Sequence, residues 1–436
     1  MANGNGNGVE SKKYKFLFVS WESISGDLAW QIQKEGHKVK VYIKDKDDTY
    51  EGILEKVDNW KDHIDWADVI VFDDVGFGSK ADELRKIGKL VVGGSVYADK
   101  LEEDREFGQS EMSRVGMLTL PHWNFDDYDA ALKFIQENPG RYVYKPHKFP
   151  NSSNYKGILF TAQEEDGKDL YEILSHNKSM LEKRIKKFQL QKFASGVEVA
   201  VGAFFNGNDF IYPVNINFEH KRLFPGKLGP MTGEMGTSMF WSDPNYIFKT
   251  TLEKTKESLQ EAKYVGYIDI NCIANARGIY PLEFTCRFGY PTISIHQEGI
   301  LSEWGEFLHA IASQQPYDLK TQKGFQVGVV CVVPPWPYND KREVEIHKDS
   351  SILFKKPNFD GVHLGDIKII DGDWKIASNV GYALIITGSG LTMEEARKQA
   401  YSRIENIMLQ DMFYRTDIGL SWGEDSDKLQ TWGYLY

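Results

Sequence analysis

At 436 residues the chain is long enough for two or three domains, each with a core of its own, and its 41% apolar and 26% charged residues are those of an ordinary soluble globular protein. A net charge of -11 with no long Lys/Arg block argues against capture of a nucleic-acid backbone, so direct binding to a duplex is not expected. Cys272, Cys286 and Cys331 lack CxxC spacing and a His-rich companion set, which marks them as reduced core residues of a cytoplasmic protein; no stretch reaches the roughly 18 apolar residues of a membrane span.

The opening MANGNGNGVESKK is polar and glycine-rich without an apolar centre, and reads as a disordered leader (residues 1–13), not a signal peptide. Tyr14 to Ser20 is a short apolar strand. Ser25 is placed to cap a helix running from Asp27 to Gly36, and Val39, Val41 and Ile43 alternate as a second strand. Val69 to Phe72, a helix around Lys80 to Ile87, and Leu90 to Val92 repeat the pattern, which predicts a small parallel sheet with helices on its faces. Its first turn, SWESISGD, holds one glycine where the dinucleotide fingerprint needs three, which argues against a NAD-linked oxidoreductase.

A charged helix from Asp99 leads out of this region. The strand RYVYKP, a polar loop, the strand ILF and a helix near Lys168 to His176 follow, then strands around 188–193 and 197–205. Asp243 with Pro244 is read as the start of a helix, as N-cap and first-turn proline. After about Thr321, GVVCVVPPWP begins another β-rich segment. A capping box, Thr392 with Glu395, opens a last long helix whose expected buried stripe is Ala396, Ala400, Ile404, Ile407 and Met408.

The stretch YVGYIDINCIANARGIYPLEFTCRFGYP (264–291) reads as a hairpin turning at Asn275-Ala276-Arg277-Gly278. Asp269 and Asn271 share one face of its first strand, Glu283, Thr285 and Arg287 one face of its second. Asp269 and Glu283 are expected to lie close across it. Such a carboxylate pair repels itself unless a cation sits between, and oxygen ligands completed by water and phosphate are how proteins hold magnesium. The plain alternative is the charged outer face of an ordinary hairpin.

Elsewhere, Lys145 and Lys156 flank a polar loop and could hold phosphates as point charges, although surface lysines commonly have no such role. Glu198 among apolar neighbours could accept hydrogen bonds from a ribose, or face water. Residues 221–237, KRLFPGKLGPMTGEMGT, hold four glycines and two prolines, a loop whose Gly229, Thr232 and Gly233 would let backbone approach a ligand. Arg287 could reach a phosphoryl group or a carboxylate.

The order of these pieces resembles the ATP-grasp ligases and, within them, is similar to glycinamide ribonucleotide synthetase (phosphoribosylamine–glycine ligase). Glu219-His220-Lys221-Arg222 followed by Gly229-Pro230-Met231-Thr232-Gly233-Glu234-Met235-Gly236 is similar to that family's DHKR and GPNTGGMG. Leu282-Glu283-Phe284-Thr285-Cys286-Arg287-Phe288-Gly289 is similar to IEFNCRFG, residues 101–107 sit where the family has LEGSKAF, and Tyr414 to Gly419 resembles its closing RKDIG. The resemblance implies an ATP-grasp fold of α/β and α+β class. It has an N-terminal parallel-sheet (pre-ATP-grasp) domain at 14–116, a two-part ATP-grasp domain at 117–320, and a C-terminal β-rich domain with a long helix at 321–436.

By position, the resemblance gives Arg105, Lys145 and Lys156 to the ATP phosphates, Gln191 to the adenine and Glu198 to the ribose. It makes Asp269, Glu283 and Thr285 ligands of Mg2+ (or Mn2+), Arg287 the stabiliser of the transferring phosphoryl group, and Lys221, Arg222, Gly229, Thr232 and Gly233 the substrate loop. Several positions depart from the family. The glycine-rich first turn with its Arg-Glu-His run is Trp21 to Gly26 here, the loop 146–156 has no glycine, and the metal-binding asparagine is Thr285. Departures gather at the substrate positions. The expected function is therefore an ATP-dependent carboxylate–amine ligase acting through an acyl phosphate, with an amino acid as carboxylate donor and an amine other than phosphoribosylamine. A genuine phosphoribosylamine–glycine ligase of purine biosynthesis and a catalytically inactive ATP-binding module are the alternatives. Small-molecule substrates, no membrane, a monomer or homodimer and a cytoplasmic location complete the expectation.

Overall fold

In the computed structural model, residues 12–22, 24–45, 48–147, 159–338, 347–378 and 380–435 are described. The apolar run Lys15–Ser20 forms the centre of a five-stranded parallel sheet, in the order Glu55–Lys56, Lys38–Ile43, Lys15–Ser20, Val69–Phe72, Leu90–Val92. Helices Gly26–Lys34 and Gly78–Lys86 provide the crossovers. Ser25 stands at the N-cap position, but its Oγ donates to Asp73 Oδ2 (2.7 Å) and not back to its own helix. The charged segment after Ser95 is two helices, Val96–Glu103 and Arg105–Arg114. Asp104 breaks it in an extended conformation and caps the second helix by accepting from the Phe107 amide (3.1 Å).

A second sheet is small and antiparallel, in the order His122–Phe125, Phe188–Lys192, Tyr142–Pro146, Phe160–Thr161. Helices Tyr128–Glu137 and Lys168–Arg184 cover it, and its core is a separate cluster that includes Tyr128, Leu170, Leu174 and Phe188.

The third sheet is the frame of the molecule. Its neighbours run Gly278–Thr285, Val265–Asn275, Val197–Asn206, Phe210–Glu219, Gly236–Ser242, Phe325–Val332, Tyr382–Gly390, Val362–Leu364, all antiparallel. The strands beyond residue 321 thus continue the same hydrogen-bonded sheet as those before it. The capping box at Thr392 and Glu395 forms as expected on helix Met393–Ile404, with Ala396, Ala400 and Ile404 buried. Ile407 and Met408 lie beyond that helix in a short strand, and Met408 is exposed. The helix expected at Asp243 begins later, as Tyr246–Thr250, with Asn245 as the cap that accepts from the Phe248 amide (3.1 Å).

Candidate active site

Between the small sheet and the outer strands of the large one lies a cavity of about 300 Å³. Leu120, Val143, Leu159, Met231, Ile273 and Leu282 give it apolar walls, and Arg105, Lys145, Gln191, Lys192, Glu198, Lys221, Thr232 and Glu283 bring polar groups. Chain positions from 105 to 283 converge here because the two sheets face each other across it. Lys145, at the end of its strand, is almost wholly buried, and burial pushes its pKa down to about 7, with Arg105 and Lys221 adding repulsion and Glu283 opposing. Arg105 Nε is out of reach of water and has no hydrogen-bond partner. A polyanion would satisfy both: it would restore the charge on Lys145 and accept from Arg105. The residues present therefore fit a nucleotide triphosphate. A neighbouring cavity of about 420 Å³ shares Arg105, Pro146, Leu282 and Glu283 with this one and adds Glu106, Gln109, His147 and Lys187.

The expected hairpin forms, as Val265–Asn275 and Gly278–Thr285, but its register corrects the carboxylate pairing. Asn271 stands opposite Glu283, and Asp269 opposite Thr285, after an irregularity between Asn271 and Cys272. The offset is two residues, so all four side chains keep the same face while the partners change. Asp269 accepts from Asn217 Nδ2 (2.9 Å) and Tyr267 Oη (3.2 Å), and burial, with Glu219 adding, raises its pKa to about 7. It does not line the nucleotide-sized cavity, whereas Glu283 does. Asn271 donates through Nδ2 to Glu219 Oε2 (2.7 Å), leaving its Oδ1 buried without a partner. Glu283 and the Asn271 carbonyl are oxygen donors of the kind that magnesium takes in ones and twos beside substrate phosphates. No group of three or more His, Cys, Asp or Glu placed to hold a metal occurs among the described residues.

Lys221 joins these groups. Its Nζ lies 2.9 Å from Glu219 Oε2, 3.5 Å from Glu198 Oε1 and 3.5 Å from Glu283 Oε1. Burial works against its charge, but the three carboxylates hold its pKa well above the lysine range.

The loop expected at 221–237 is largely a hairpin, Arg222–Phe224 with Leu228–Met231, leading into the strand Gly236–Ser242. Thr232 closes it, its amide and its Oγ1 both donating to Lys221 O (2.8 Å each). Gly229 sits at φ +79° with Phe224 so close that an added Cβ would fall 2.5 Å from the ring. Arg222 is exposed and donates to Gly229 O (2.8 Å). Neither Arg222, Gly229 nor Gly233 lines the cavity. The closing motif near 415 holds this hairpin in place. Buried Arg415 pairs with Asp417 and donates to Arg222 O (2.8 Å), and Asp417 Oδ2 accepts from the Gly226 amide (2.9 Å).

Arg287 stands apart from the cavity, at the carboxyl edge of the parallel sheet. Its Nε lies 3.0 Å from Glu102 Oε1 and 3.2 Å from Asp74 Oδ1, and these two carboxylates raise its pKa although burial opposes them. Lys156 falls outside the described residues. Glu219, Asn271, Glu102 and Asp74 were not singled out from the sequence. Asn271 could have been found, since it shares a face with Asp269, and Glu219 opens the very tetrapeptide that carries the family likeness.

Solved structures of other proteins share this architecture. The phosphoribosylamine–glycine ligase of Thermotoga maritima superposes with a TM-score of 0.70 at 20% identity, covering 93% of this chain and 100% of that one. The biotin carboxylase domain of Hydrogenobacter thermophilus 2-oxoglutarate carboxylase, solved with ADP and magnesium, gives 0.60 at 12%, covering 97% and 96%. The chain belongs to the ATP-grasp ligases, ADP-forming enzymes that join a carboxylate to an amine. Within that class its likeness is to phosphoribosylglycinamide synthetase: that family's ATP-grasp (A) domain matches residues 103–293 and its C domain residues 326–421. A phosphoribosylamine–glycine ligase of Streptococcus pneumoniae is 26% identical over 360 residues, spanning 80% of this chain and 82% of its own length.

Proposed function

We propose that the chain couples ATP cleavage to ADP with formation of an amide between glycine and phosphoribosylamine. Support for this pair comes from the relatives, which are phosphoribosylamine–glycine ligases of Streptococcus pneumoniae and Listeria monocytogenes. The observation that carries the nucleotide half is the convergence of Arg105, Lys145, Gln191, Glu198 and Glu283 on one cavity. In this reading Lys145 and Arg105 orient the phosphates, Gln191 and Glu198 fix the nucleoside, and Glu283 with the Asn271 carbonyl holds Mg2+ or Mn2+. The metal, when bound, neutralises charge on the phosphates. Arg287, already fixed between Asp74 and Glu102, orients the carboxylate donor at the sheet edge. The protein's work is positioning reactants in line and keeping water from the acyl phosphate before the amine displaces it.

One feature favours the reading made from the sequence, a different amine, although the relatives lend that no support. The carboxyl ends of parallel strands are where such sheets place ligands. Here they carry Glu22, Asp45, Asp73 and Asp74, where a phosphate ester would meet like charge. Burial raises the Glu22 carboxyl, with Asp74 and Asp45 adding and Arg287 opposing. Burial likewise raises Asp73 to about 6, with Asp74 adding and Ser25 opposing through its hydrogen bonds.

The test is ADP release with ATP and magnesium. Release requiring both glycine and phosphoribosylamine supports the first reading. Release with another amine, and none with phosphoribosylamine, replaces it by the second. ATP bound without release under any pair would identify a binding module.

A further inference from the structure

Glu283 is the carboxylate that the proposed function gives to the metal, and a cation of the protein's own lies beside it. Lys221 reaches Glu283 at 3.5 Å while its shortest contact, 2.9 Å, is to Glu219, and Glu198 lies 3.5 Å away on the cavity wall. The arrangement is locked from several sides. Asn271 Nδ2 ties down the same Glu219 oxygen that Lys221 touches (2.7 Å), and the Lys221 carbonyl is pinned by the Thr232 amide and hydroxyl. Beside it the Asn271 Oδ1 is buried and unpaired, an oxygen donor without an acceptor role in the protein's own hydrogen bonding.

The Lys221 ammonium offsets part of the charge of these three carboxylates, with Lys145 and Arg105 on the same cavity. Without that ammonium, Glu283 and the spare amide oxygen of Asn271 would meet an incoming cation unopposed by Lys221, and one or two such oxygen donors are what a hard divalent cation takes beside phosphate. A metal arriving alone must displace Lys221 from Glu283. A metal arriving with a triphosphate need not leave the ammonium unsatisfied, because phosphate oxygens offer it a new partner in the same cavity.

We propose that Lys221 is a resident counter-ion that keeps divalent metal off Glu283 until the nucleotide arrives, and so makes ATP and metal enter as a unit. It is a positioning residue acting through Glu283. Lys221 belongs to the substrate-loop segment in sequence, but its contacts place it at the junction of the ribose-side carboxylate, Glu198, and the metal-side carboxylate, Glu283. The inference rests on the assignment of Glu283 to the metal.

The experiment titrates Mn2+ into the nucleotide-free full-length protein and reads the free-ion signal by electron paramagnetic resonance. Lys221→Met is expected to gain one site about tenfold tighter than any in the wild type, in the millimolar range or below. Lys221→Arg, which keeps the charge, should behave as the wild type, and Lys221→Met with Glu283→Gln should lose the gained site. If Lys221→Met does not fold, Lys221→Gln, with a shorter stem and a neutral polar head, carries the test. Equal Mn2+ affinity in the wild type and the neutral variant overturns the proposal, as does a gained site that survives Glu283→Gln. Neither substrate nor turnover enters the measurement, so its failure is separate from failure of the ligase reading, which ADP release tests.

Discussion

The nucleotide-sized cavity and the carboxyl edge of the N-terminal sheet are built from the same residue types with opposite balance. Among the described residues, the cavity brings Arg105, Lys145, Lys192 and Lys221 against two carboxylates, Glu198 and Glu283. The edge brings Glu22, Asp45, Asp73 and Asp74 against Arg287, which Asp74 and Glu102 already share, and Lys44, whose Nζ lies 4.0 Å from the centre of the Trp21 ring. A polyanion suits the first region and is repelled by the second. The difference separates a cation-lined cleft that suits a polyanion from an acidic rim that suits a cationic or neutral ligand.

The sharpest way to break this comparison is at Glu283. Its side chain is 55% exposed, so Glu283→Gln should leave the melting temperature nearly unchanged while lowering kcat by about a hundredfold or more. A large stability loss with turnover intact would make Glu283 a structural residue. Next is Lys145. Lys145→Met should weaken ATP by roughly 1.5–3 kcal/mol, about ten- to a hundredfold, and leave adenosine binding alone; calorimetric titration of both ligands decides it.

The same lysine predicts a pH dependence. With its pKa near 7 in the free protein, Lys145 is charged below neutrality, and phosphates would raise that pKa on binding. Above pH 7 each ATP bound must therefore bring a proton with it, and affinity should fall by up to about tenfold per pH unit until the bound ammonium itself titrates. Titrations in buffers of different ionisation enthalpy would count that proton. The smallest expected effect lies at the acidic rim. Glu22→Gln with Asp45→Asn removes two charges at a partly solvated edge, each worth about 0.2–1 kcal/mol. KM for a cationic acceptor should rise several-fold, whereas KM for a phosphorylated acceptor should fall.

Strands and caps were legible in the sequence where the pattern was local. The parallel strands and the hairpin at 265–285 follow from apolar runs and turn chemistry, and the capping box at 392 from one short motif. Failures came where two local signals competed or partners were distant. Asp243 and Asn245 both qualify as caps, and only the geometry after Pro244 selects the second. Asp104 interrupts a charged run that periodicity alone reads as one helix. The glycines and prolines of 221–237 hid a hairpin whose anchors, Arg415 and Asp417, lie about 190 residues away. In the hairpin at 265–285 the face was legible and the partners were not, because the turn closes on Asn275 and Gly278 and a one-residue irregularity after Asn271 then leaves Leu282 opposite no residue. Ser25 stands at a helix cap but donates its hydroxyl to Asp73, a partner that only the parallel sheet brings near.

The unbroken sheet also governs how this protein can be divided or recombined. The strand Phe325–Val332 is hydrogen-bonded on one side to Gly236–Ser242 and on the other to Tyr382–Gly390. A cut between residues 286 and 324 would therefore expose two long apolar edges, each a template for aggregation. Fragments split there should recover only when refolded together, and exchange of the last quarter with a relative must carry compatible pairing across that seam as well as a matching Arg415 and Asp417. Heat should melt the two sides of the seam in one transition.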